Sequence, residues 1–215
     1  MALPFTKDQF FEVFARYNTQ IWPTQWLLLA AGLAAVGVLF TKASSRERLA
    51  SAAIGLLWIW MGAIYHLGYF TTINPAAYVF GFLSIAEGLL FVWSAGADKL
   101  RLYWIGTSKW VGGALATYAL AIYPLLNVIL GHEFPAVPTF GLPCPTTILT
   151  LGILWWLRGR FARVLAVIPI LWSGIGGSAA FFLGVPQDLG LLVAGLISLG
   201  LFRRRVSHPE EASQQ

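Results

Sequence analysis

The chain has few charged residues and a single cysteine. Only 11% of its 215 residues are Asp, Glu, Lys or Arg, less than half of the roughly 25% that is usual in soluble domains. One cysteine excludes an intramolecular disulfide framework and a zinc site built from several cysteines. The net charge of +5 is modest, so composition gives no support for a nucleic-acid-binding protein.

Apolar residues, in contrast, are abundant: 58% of the chain is hydrophobic and the mean hydropathy is +0.71. A transmembrane helix needs about 20 mostly apolar residues. The charged residues separate seven such stretches, at roughly 21–41, 49–70, 75–95, 108–131, 143–157, 161–183 and 187–202. The sequence therefore predicts an all-α, polytopic protein of the lipid bilayer, with one seven-helix transmembrane domain over residues 21–206.

Basic residues alternate between the connecting segments. Three of the loops contain no Lys or Arg, whereas the segments after the first, third, fifth and seventh stretches do. They are Lys42, Arg46, Arg48, Lys99, Arg101, Arg158, Arg160, Arg163, Arg203, Arg204 and Arg205. Because cytoplasmic loops are enriched in Lys and Arg, this pattern predicts an external N-terminus and a cytoplasmic C-terminus.

Residues 1–20 and 207–215 are expected to lie outside the transmembrane domain. Thr6 and Gln9 have the spacing of a capping box, and Phe10, Phe14 and Tyr17 can gather on one face of a short helix. We expect this amphipathic segment to lie along the outer membrane surface. The tail from 207 to 215 is polar and has no apolar face, which predicts disorder.

Glu87 is the acidic side chain that falls deepest inside a predicted span. It lies about twelve residues, or roughly 18 Å of helix, after Pro75, near the middle of a crossing of about 30 Å. A carboxyl group there either binds a proton, a cation or a solute, or is a neutral group hydrogen-bonded to another helix. Ser84 shares its helical face. We predict that Glu87 and Ser84 form a transport or proton-coupling site.

Further polar residues fall near the predicted outer surface. His66 and His132 end the second and fourth stretches, and Cys144 begins the fifth. Imidazole and thiolate groups bind zinc and copper, so these three residues are candidate metal ligands. The alternative is that each histidine is only a hydrogen-bonded residue at the membrane surface, because no His-x-x-x-His or Cys-x-x-Cys spacing fixes their geometry.

The fifth and seventh helices are expected to be short. Only about 13 residues separate Cys144 from Arg158, or about 20 Å of helix, and Asp188 is placed as the N-cap of the last helix. Helices that begin below the surface predict an outer vestibule, with the proline-rich segment 131–147 as its lid or wall. The expected vestibule or ligand-binding residues are His66, Asn127, His132, Glu133, Cys144, Thr146, Thr147, Ser173 and Asp188.

Most of the ten tryptophans fall near the ends of predicted spans, where an indole ring anchors a helix at the headgroup level. Trp58, Trp60 and Trp172 lie deeper. For these three, packing between helices is favoured over stacking on a ligand.

Several short strings resemble an uncharacterised bacterial family of multi-pass membrane proteins, a family of unknown function. They are His132-Glu133-Phe134-Pro135, Pro138-Thr139-Phe140-Gly141, Pro143-Cys144-Pro145-Thr146-Thr147, Pro4-Phe5-Thr6 and Gln9-Phe10-Phe11. The resemblance covers the whole chain and implies a protein of the bacterial inner membrane. It assigns no activity and no functional residue.

Two better-known seven-helix classes fit poorly. A microbial rhodopsin needs a lysine in the middle of its last helix, and the stretch 187–202 has none. Membrane hydrolases related to alkaline ceramidase use several histidines, whereas only His66 and His132 are available here.

Three functional hypotheses follow. The leading one is a small transporter or channel-like protein that moves an ion or small polar solute from the vestibule to Glu87, in a homo-oligomer because no inverted repeat is evident. The second is an integral membrane enzyme that depends on a transition metal or haem bound by His66 and His132. The third is a structural or assembly subunit. The sequence leaves the cargo and any cofactor open.

Overall fold

The computed structural model describes residues 4–97 and 99–203. Arg204, Arg205 and the tail predicted to be disordered lie outside the described residues. The α-helices are α1 (Lys7–Gln20), α2 (Thr24–Leu39), α3 (Arg46–Trp60), α4 (Ala77–Gly96), α5 (Thr107–Thr117), α6 (Tyr123–Ile129), α7 (Pro143–Trp156), α8 (Arg160–Val164), α9 (Val167–Gly177), α10 (Ala179–Phe182), α11 (Leu189–Ser198) and α12 (Gly200–Arg203). The predicted all-α class is confirmed.

Four further segments are helical but not α-helical. The segment Met61–His66 is π-helical and continues α3. The segment Tyr118–Ile122 is also π-helical and connects α5 to α6. Phe70–Thr72 and Pro186–Asp188 are 3-10 helices. The π-helical segments are a departure from regular helical periodicity that the hydrophobic pattern does not predict.

Several helical segments have the length and composition of membrane spans. Within the described residues, four qualify: Arg46–Thr72, Ala77–Gly96, Thr107–Ile129 and Phe161–Phe182. α1 and α2 qualify only as a pair, bent by 91°. α7 and α11 occupy the fifth and seventh predicted stretches with 14 and 10 residues, which makes both of them short, as expected.

α7 is the central helix of the bundle. All its residues except Cys144 are buried, and it packs against α5, α9 and α11 and also touches α2 and α3. A helix that is apolar on every side lies either in a protein interior or in lipid, and α7 lies in the interior of the bundle. One of its few polar side chains, Thr150, accepts a 2.9 Å hydrogen bond from Trp58 Nε1 and donates one of 2.8 Å to the carbonyl of Thr146.

α3 and α4 cross in very close contact through glycines. A Cβ atom at Gly88 would lie 2.5 Å from the carbonyl oxygen of Gly55, and one at Gly62 would lie 2.6 Å from that of Gly81. Small residues allow this approach, which in membrane helices maximises van der Waals contact between backbones. The crossing fixes the position of α4, which carries Glu87.

α1 packs on one end of the bundle. The predicted capping box forms, with Thr6 N donating to Gln9 Oε1 at 2.8 Å and Gln9 N donating to Thr6 Oγ1 at 3.3 Å. The apolar face of α1, including Phe10, Phe14 and Tyr17, is buried. It packs against the segment after α3 and the segment before α11, so this face contacts the protein itself.

Asn18 fastens the proline-rich segment to α1. Its amide nitrogen donates to the carbonyl oxygens of Pro135 and Val137, both at 2.7 Å. Its side-chain oxygen accepts a 2.7 Å hydrogen bond from Thr139 Oγ1. A fully buried amide with these partners holds the segment 135–139 against the end of the bundle.

The other end of α7 carries the basic residues. β1 (Arg101–Leu102) and β2 (Leu157–Arg158) form a short antiparallel pair that joins the loop after α4 to the end of α7. Glu47 Oε1 accepts hydrogen bonds from Leu102 N at 3.1 Å and Arg46 Nε at 3.2 Å. Two connecting segments are therefore tied together at this end.

Candidate functional site

A cavity of about 220 Å³ lies beneath α1, at the N-terminal end of α7. Aromatic side chains from four parts of the chain line it, among them Phe10 of α1, Tyr65, Phe80 of α4 and Trp172 of α9. Since α7 is 14 residues long, the cavity lies about 20 Å from the basic end of the bundle. A partly open, mostly apolar cavity therefore lies at the start of α7, where the sequence predicts a vestibule.

His66 is the polar residue that stands out in this wall. It is fully buried, and neither of its ring nitrogens has a hydrogen-bond partner among the described residues. Its ring lies 5.2 Å from that of Trp172 and 5.9 Å from that of Phe80, in edge-to-face arrangements. A neutral imidazole carries one donor and one acceptor, so both its hydrogen-bonding positions are unused.

Trp172 has an unused donor in the same wall. Its indole Nε1 is buried and lacks a hydrogen-bond partner in the described part of the chain. A buried indole N–H normally finds an acceptor. His66 and Trp172, two residues of one cavity wall, thus each carry a buried hydrogen-bonding group without a partner among the described residues.

The π-helical segment Met61–His66 sets the direction of His66. Such segments widen a helix by one residue per turn and are often found at functional sites. Here the segment continues the glycine contact with α4 through Gly62, and its last residues, Tyr65 and His66, line the cavity. A local departure from α-helical geometry therefore supplies two of the lining residues.

Asp188 and Cys144 form a polar part of the same wall. The carboxyl group of Asp188 accepts a 2.7 Å hydrogen bond from Tyr123 Oη and a 3.4 Å hydrogen bond from Cys144 Sγ. Asp188 takes the predicted N-cap position of α11, but its side chain makes no capping hydrogen bond. Its two oxygens bind side chains of other helices instead.

His132 and Asn127 belong to a second cavity of about 300 Å³. Gln187 Nε2 donates to Asn127 Oδ1 at 2.7 Å and lies 3.1 Å from His132 Nδ1. Burial and then the charge of Lys7 lower the pKa of His132. Pro138 and Pro145 line both cavities, so the proline-rich segment forms the wall between them.

The remaining predicted vestibule residues lie elsewhere. Thr146 and Thr147 are buried in α7, their hydroxyl groups have no partner among the described residues, and they line neither cavity. Ser173 donates a 2.6 Å hydrogen bond to the carbonyl of Ile170 in its own helix. Glu133 is exposed. The structure thus brings His66, Cys144 and Asp188 together and leaves these four outside.

The geometry gives no support to the predicted metal ligands. Among the described residues, no three His, Cys, Asp or Glu side chains come close enough together to hold a metal ion. His66 and Cys144 line the first cavity, whereas His132 lines the second. This arrangement does not match a zinc or copper site made by the three residues, nor a haem held between the two histidines.

Glu87 lies deeper in the bundle. It is fully buried, and neither carboxyl oxygen has a hydrogen-bond partner in the described residues. Ser84 is buried on the same side of α4. Phe80, Ser84 and Glu87 stand at positions i, i+4 and i+7, so they follow one another along one helical face. Glu87 is about 10 Å of helix further in than Phe80, which lines the cavity.

Comparison with known proteins places the whole chain in one family. A family model matches residues 7–212, and it describes a family of unknown function, DUF6064. The chain belongs to DUF6064. No curated protein and no solved structure matches it. The predicted membership of an uncharacterised family is confirmed, and the family assigns no function to the site of this DUF6064 protein.

Sequence reasoning missed three residues of the site in this DUF6064 protein. Tyr123 and Gln187 are hydrogen-bonding partners of Asp188 and His132, yet their sequence positions give no signal of these long-range contacts. Trp172 was assigned to helix packing. Its distance from the predicted span ends marked it as unusual, but the free indole N–H is visible only in the structure.

Proposed function

We propose that this DUF6064 protein is a small transporter or channel-like protein of the bacterial inner membrane, with seven spans and an external N-terminus. It takes a small solute from the cavity beneath α1 toward Glu87. The seven apolar stretches all contain helices, and large side chains such as Leu27, Phe82 and Val128 are at least 65% exposed. Apolar surface on this scale is suited to contact with lipid.

The proposed orientation is supported by the position of the basic residues. Arg101 and Arg158 pair across β1 and β2 at the C-terminal end of α7, and the cavity lies at its N-terminal end. By the positive-inside rule the basic end is cytoplasmic. The cavity and α1 then belong to the outer half of the membrane.

One observation carries the proposal: the face of α4 that begins at the cavity with Phe80 leads through Ser84 to a buried Glu87, which has no hydrogen-bond partner among the residues that the structure describes. A charged carboxylate within a span is costly unless it binds a proton, a cation or a polar group. Glu87 is free to take any of these from a passing solute or from water. In this mechanism the cavity selects the solute and Glu87 couples its passage to proton or cation binding.

The experiment is solid-supported-membrane electrophysiology on proteoliposomes. Concentration jumps are applied with four solute groups: amino acids, short carboxylates, sugars and phenols. Wild type is expected to give a transient current with at least one group. Glu87→Gln is expected to lose that current, because the amide cannot exchange a proton. The exposed Glu133→Gln is the matched control and is expected to keep it.

Two results would contradict the proposal. One is a folded Glu87→Gln protein, monodisperse in detergent, that gives currents equal to those of wild type. The other is the lack of any protein-dependent current across all four solute groups. The metal-dependent enzyme is not retained as a second candidate, because its three expected ligands do not converge.

A further inference from the structure

We infer that the cavity beneath α1 binds a neutral six-membered ring that carries an oxygen substituent, as in a phenol or the ring of a quinone, with this oxygen hydrogen-bonded by His66 and Trp172. The inference deepens the proposed function because it names the ligand of the proposed uptake site. It rests on the proposed function only in taking the cavity to be a solute-binding site. Three features support the inference: the size of the cavity, the chemistry of its wall and the unsatisfied hydrogen-bonding groups in that wall.

The size of the cavity suits one substituted ring. An apolar cavity of about 150 Å³ in another protein binds benzene, and this one measures about 220 Å³. The additional volume is enough for one or a few small substituents. A sugar or a peptide would leave its own hydroxyl or amide groups facing aromatic side chains, which is costly without partners.

The wall is arranged for a flat apolar ligand. Phe80 and Trp172 lie 5.1 Å apart at 76°, and Tyr65 and Phe70 lie 5.8 Å apart and nearly parallel. Aromatic pairs prefer edge-to-face and offset stacked arrangements at such distances. A ring in the cavity would therefore find both edges and faces of aromatic neighbours.

The hydrogen-bonding groups select an oxygen on that ring. The indole N–H of Trp172 is a donor only, and neutral His66 offers one donor and one acceptor. A carbonyl oxygen can accept from both residues, and a phenolic hydroxyl can accept from Trp172 while it donates to His66. Either ligand would satisfy buried groups that lack partners within residues 4–97 and 99–203, and a hydrogen bond contributes most at such buried groups.

Charged ligands are disfavoured by the same wall. Asp188 is the acidic side chain in it, and both of its oxygens already accept hydrogen bonds from Tyr123 and Cys144. A cationic ligand would have to compete with these bonds. No Lys or Arg lines the cavity among the described residues, so an anionic ligand would lack a counter-ion. A neutral oxygen avoids both costs.

The test observes the Trp172 indole N–H directly. Full-length protein labelled with 15N at tryptophan is placed in lipid nanodiscs, and the Trp172 resonance is assigned by its loss in Trp172→Phe. p-Cresol represents a free phenol, duroquinone represents the ring of a membrane quinone, and toluene has the shape of p-cresol without the oxygen. p-Cresol, duroquinone or both are expected to move the Trp172 proton resonance downfield, whereas toluene is not.

A variant of His66 tests the second hydrogen bond. His66→Phe keeps an aromatic ring at this position and removes both ring nitrogens. It is expected to weaken binding of the responding oxygen-bearing probe by about 3- to 10-fold, the loss of one net hydrogen bond, and to leave toluene within about 2-fold. Equal changes for both kinds of probe would overturn the assignment of His66, because a purely structural effect would act on both.

Substitutions at two glycines of α9 provide a matched pair of variants in which every polar side chain is kept. A Cβ atom at Gly176 would lie 3.0 Å from Trp172 Nε1 and 2.9 Å from Leu191 Cδ2, whereas one at Gly174 would have no neighbour within 4 Å. Gly176→Ala is therefore expected to weaken binding of the responding probe at least 3-fold, and Gly174→Ala to leave it unchanged. Equal binding by both variants would contradict the proposed position of the ligand.

The outcomes separate this inference from the proposed function. A response to p-cresol alone supports a free phenol as ligand, and a response to duroquinone alone supports a quinone ring from the membrane. No Trp172 shift with either probe at millimolar concentration overturns the inference, even if Glu87-dependent currents are found with other solutes. Binding as expected together with absent currents overturns transport and keeps the ligand site.

Discussion

The hydroxyl group of Tyr123 donates a 2.7 Å hydrogen bond to Oδ1 of Asp188, 65 residues further along the chain. Both side chains are about 1% exposed. Cys144 Sγ donates to the other carboxyl oxygen, so three helices, α6, α7 and α11, meet at one carboxyl group. This junction holds the starts of α7 and α11 together beside the cavity.

Removal of the Tyr123 hydroxyl is expected to destabilise the fold. Tyr123→Phe leaves Oδ1 of a buried Asp188 without its donor, which costs about 1–3 kcal/mol. We expect a lower midpoint of thermal unfolding in detergent, measured by tryptophan fluorescence. Tyr78→Phe is the control, because Tyr78 is 56% exposed. Equal midpoints for the two variants would show that the hydrogen bond contributes nothing measurable.

The crossing of α3 and α4 predicts a strong contrast between two glycines of α4. A Cβ atom at Gly88 would meet the carbonyl oxygen of Gly55 at 2.5 Å, whereas one at Gly96 would have no neighbour within 4 Å. Gly88→Ala is expected to destabilise the protein by about 1–3 kcal/mol, because the helices must separate. Gly96→Ala is expected to be neutral or slightly stabilising. Thermal unfolding of both variants in the same detergent decides the matter.

Asn18 is expected to control the mobility of the proline-rich segment. Asn18→Ala removes the donors to Pro135 and Val137 and the acceptor for Thr139. Hydrogen–deuterium exchange should then become faster in peptides that cover 136–142, with little change in α7. Thr19→Ala, which loses only a hydrogen bond within α1, should exchange like wild type. Unchanged exchange in Asn18→Ala would mean that the prolines alone hold the segment.

His132 is expected to make stability depend on pH. Its pKa in the folded protein is lowered, mainly by burial, from the ordinary value of about 6.5. As pH falls below about 6.5, the unfolded chain binds a proton at His132 more readily than the folded protein, so stability decreases. His132→Gln should lose less stability than wild type between pH 7.5 and pH 5, as measured by thermal unfolding. Parallel curves for the two proteins would contradict this.

Much of the fold could be predicted from the sequence. Runs of apolar residues between charged residues locate helices, because a span must satisfy its own backbone hydrogen bonds. The same runs do not reveal which helix is central. In the sequence, α7 and α4 are both apolar stretches. In the structure, α7 is surrounded by protein, whereas α4 exposes Phe82 and Leu89. Lipid and protein interior are similar solvents for a leucine, so composition does not distinguish them.

The candidate site could be predicted only in part. The short helices and the proline-rich segment predict a vestibule at the start of α7, and a cavity lined by His66, Cys144 and Asp188 lies there. The sequence groups His66 and His132 as candidate ligands of one metal, but they line different cavities, with the proline-rich segment between them. Pairing between residues far apart in the chain, such as His66 with Trp172, depends on helix rotation, and a hydrophobic pattern without a motif does not fix rotation.

The two π-helical segments bear on how this family tolerates length changes within its helices. A π-helical turn accommodates one more residue than an α-helical turn, so it acts as an insertion that the helix absorbs without breaking. Deletion of one residue within Met61–His66 would replace the wide turn by regular α-helical winding, which changes the direction of the side chains inside the segment. His66, the last residue of the segment, would then leave the cavity wall. Homologues with a one-residue gap at this position should therefore have lost the histidine as well.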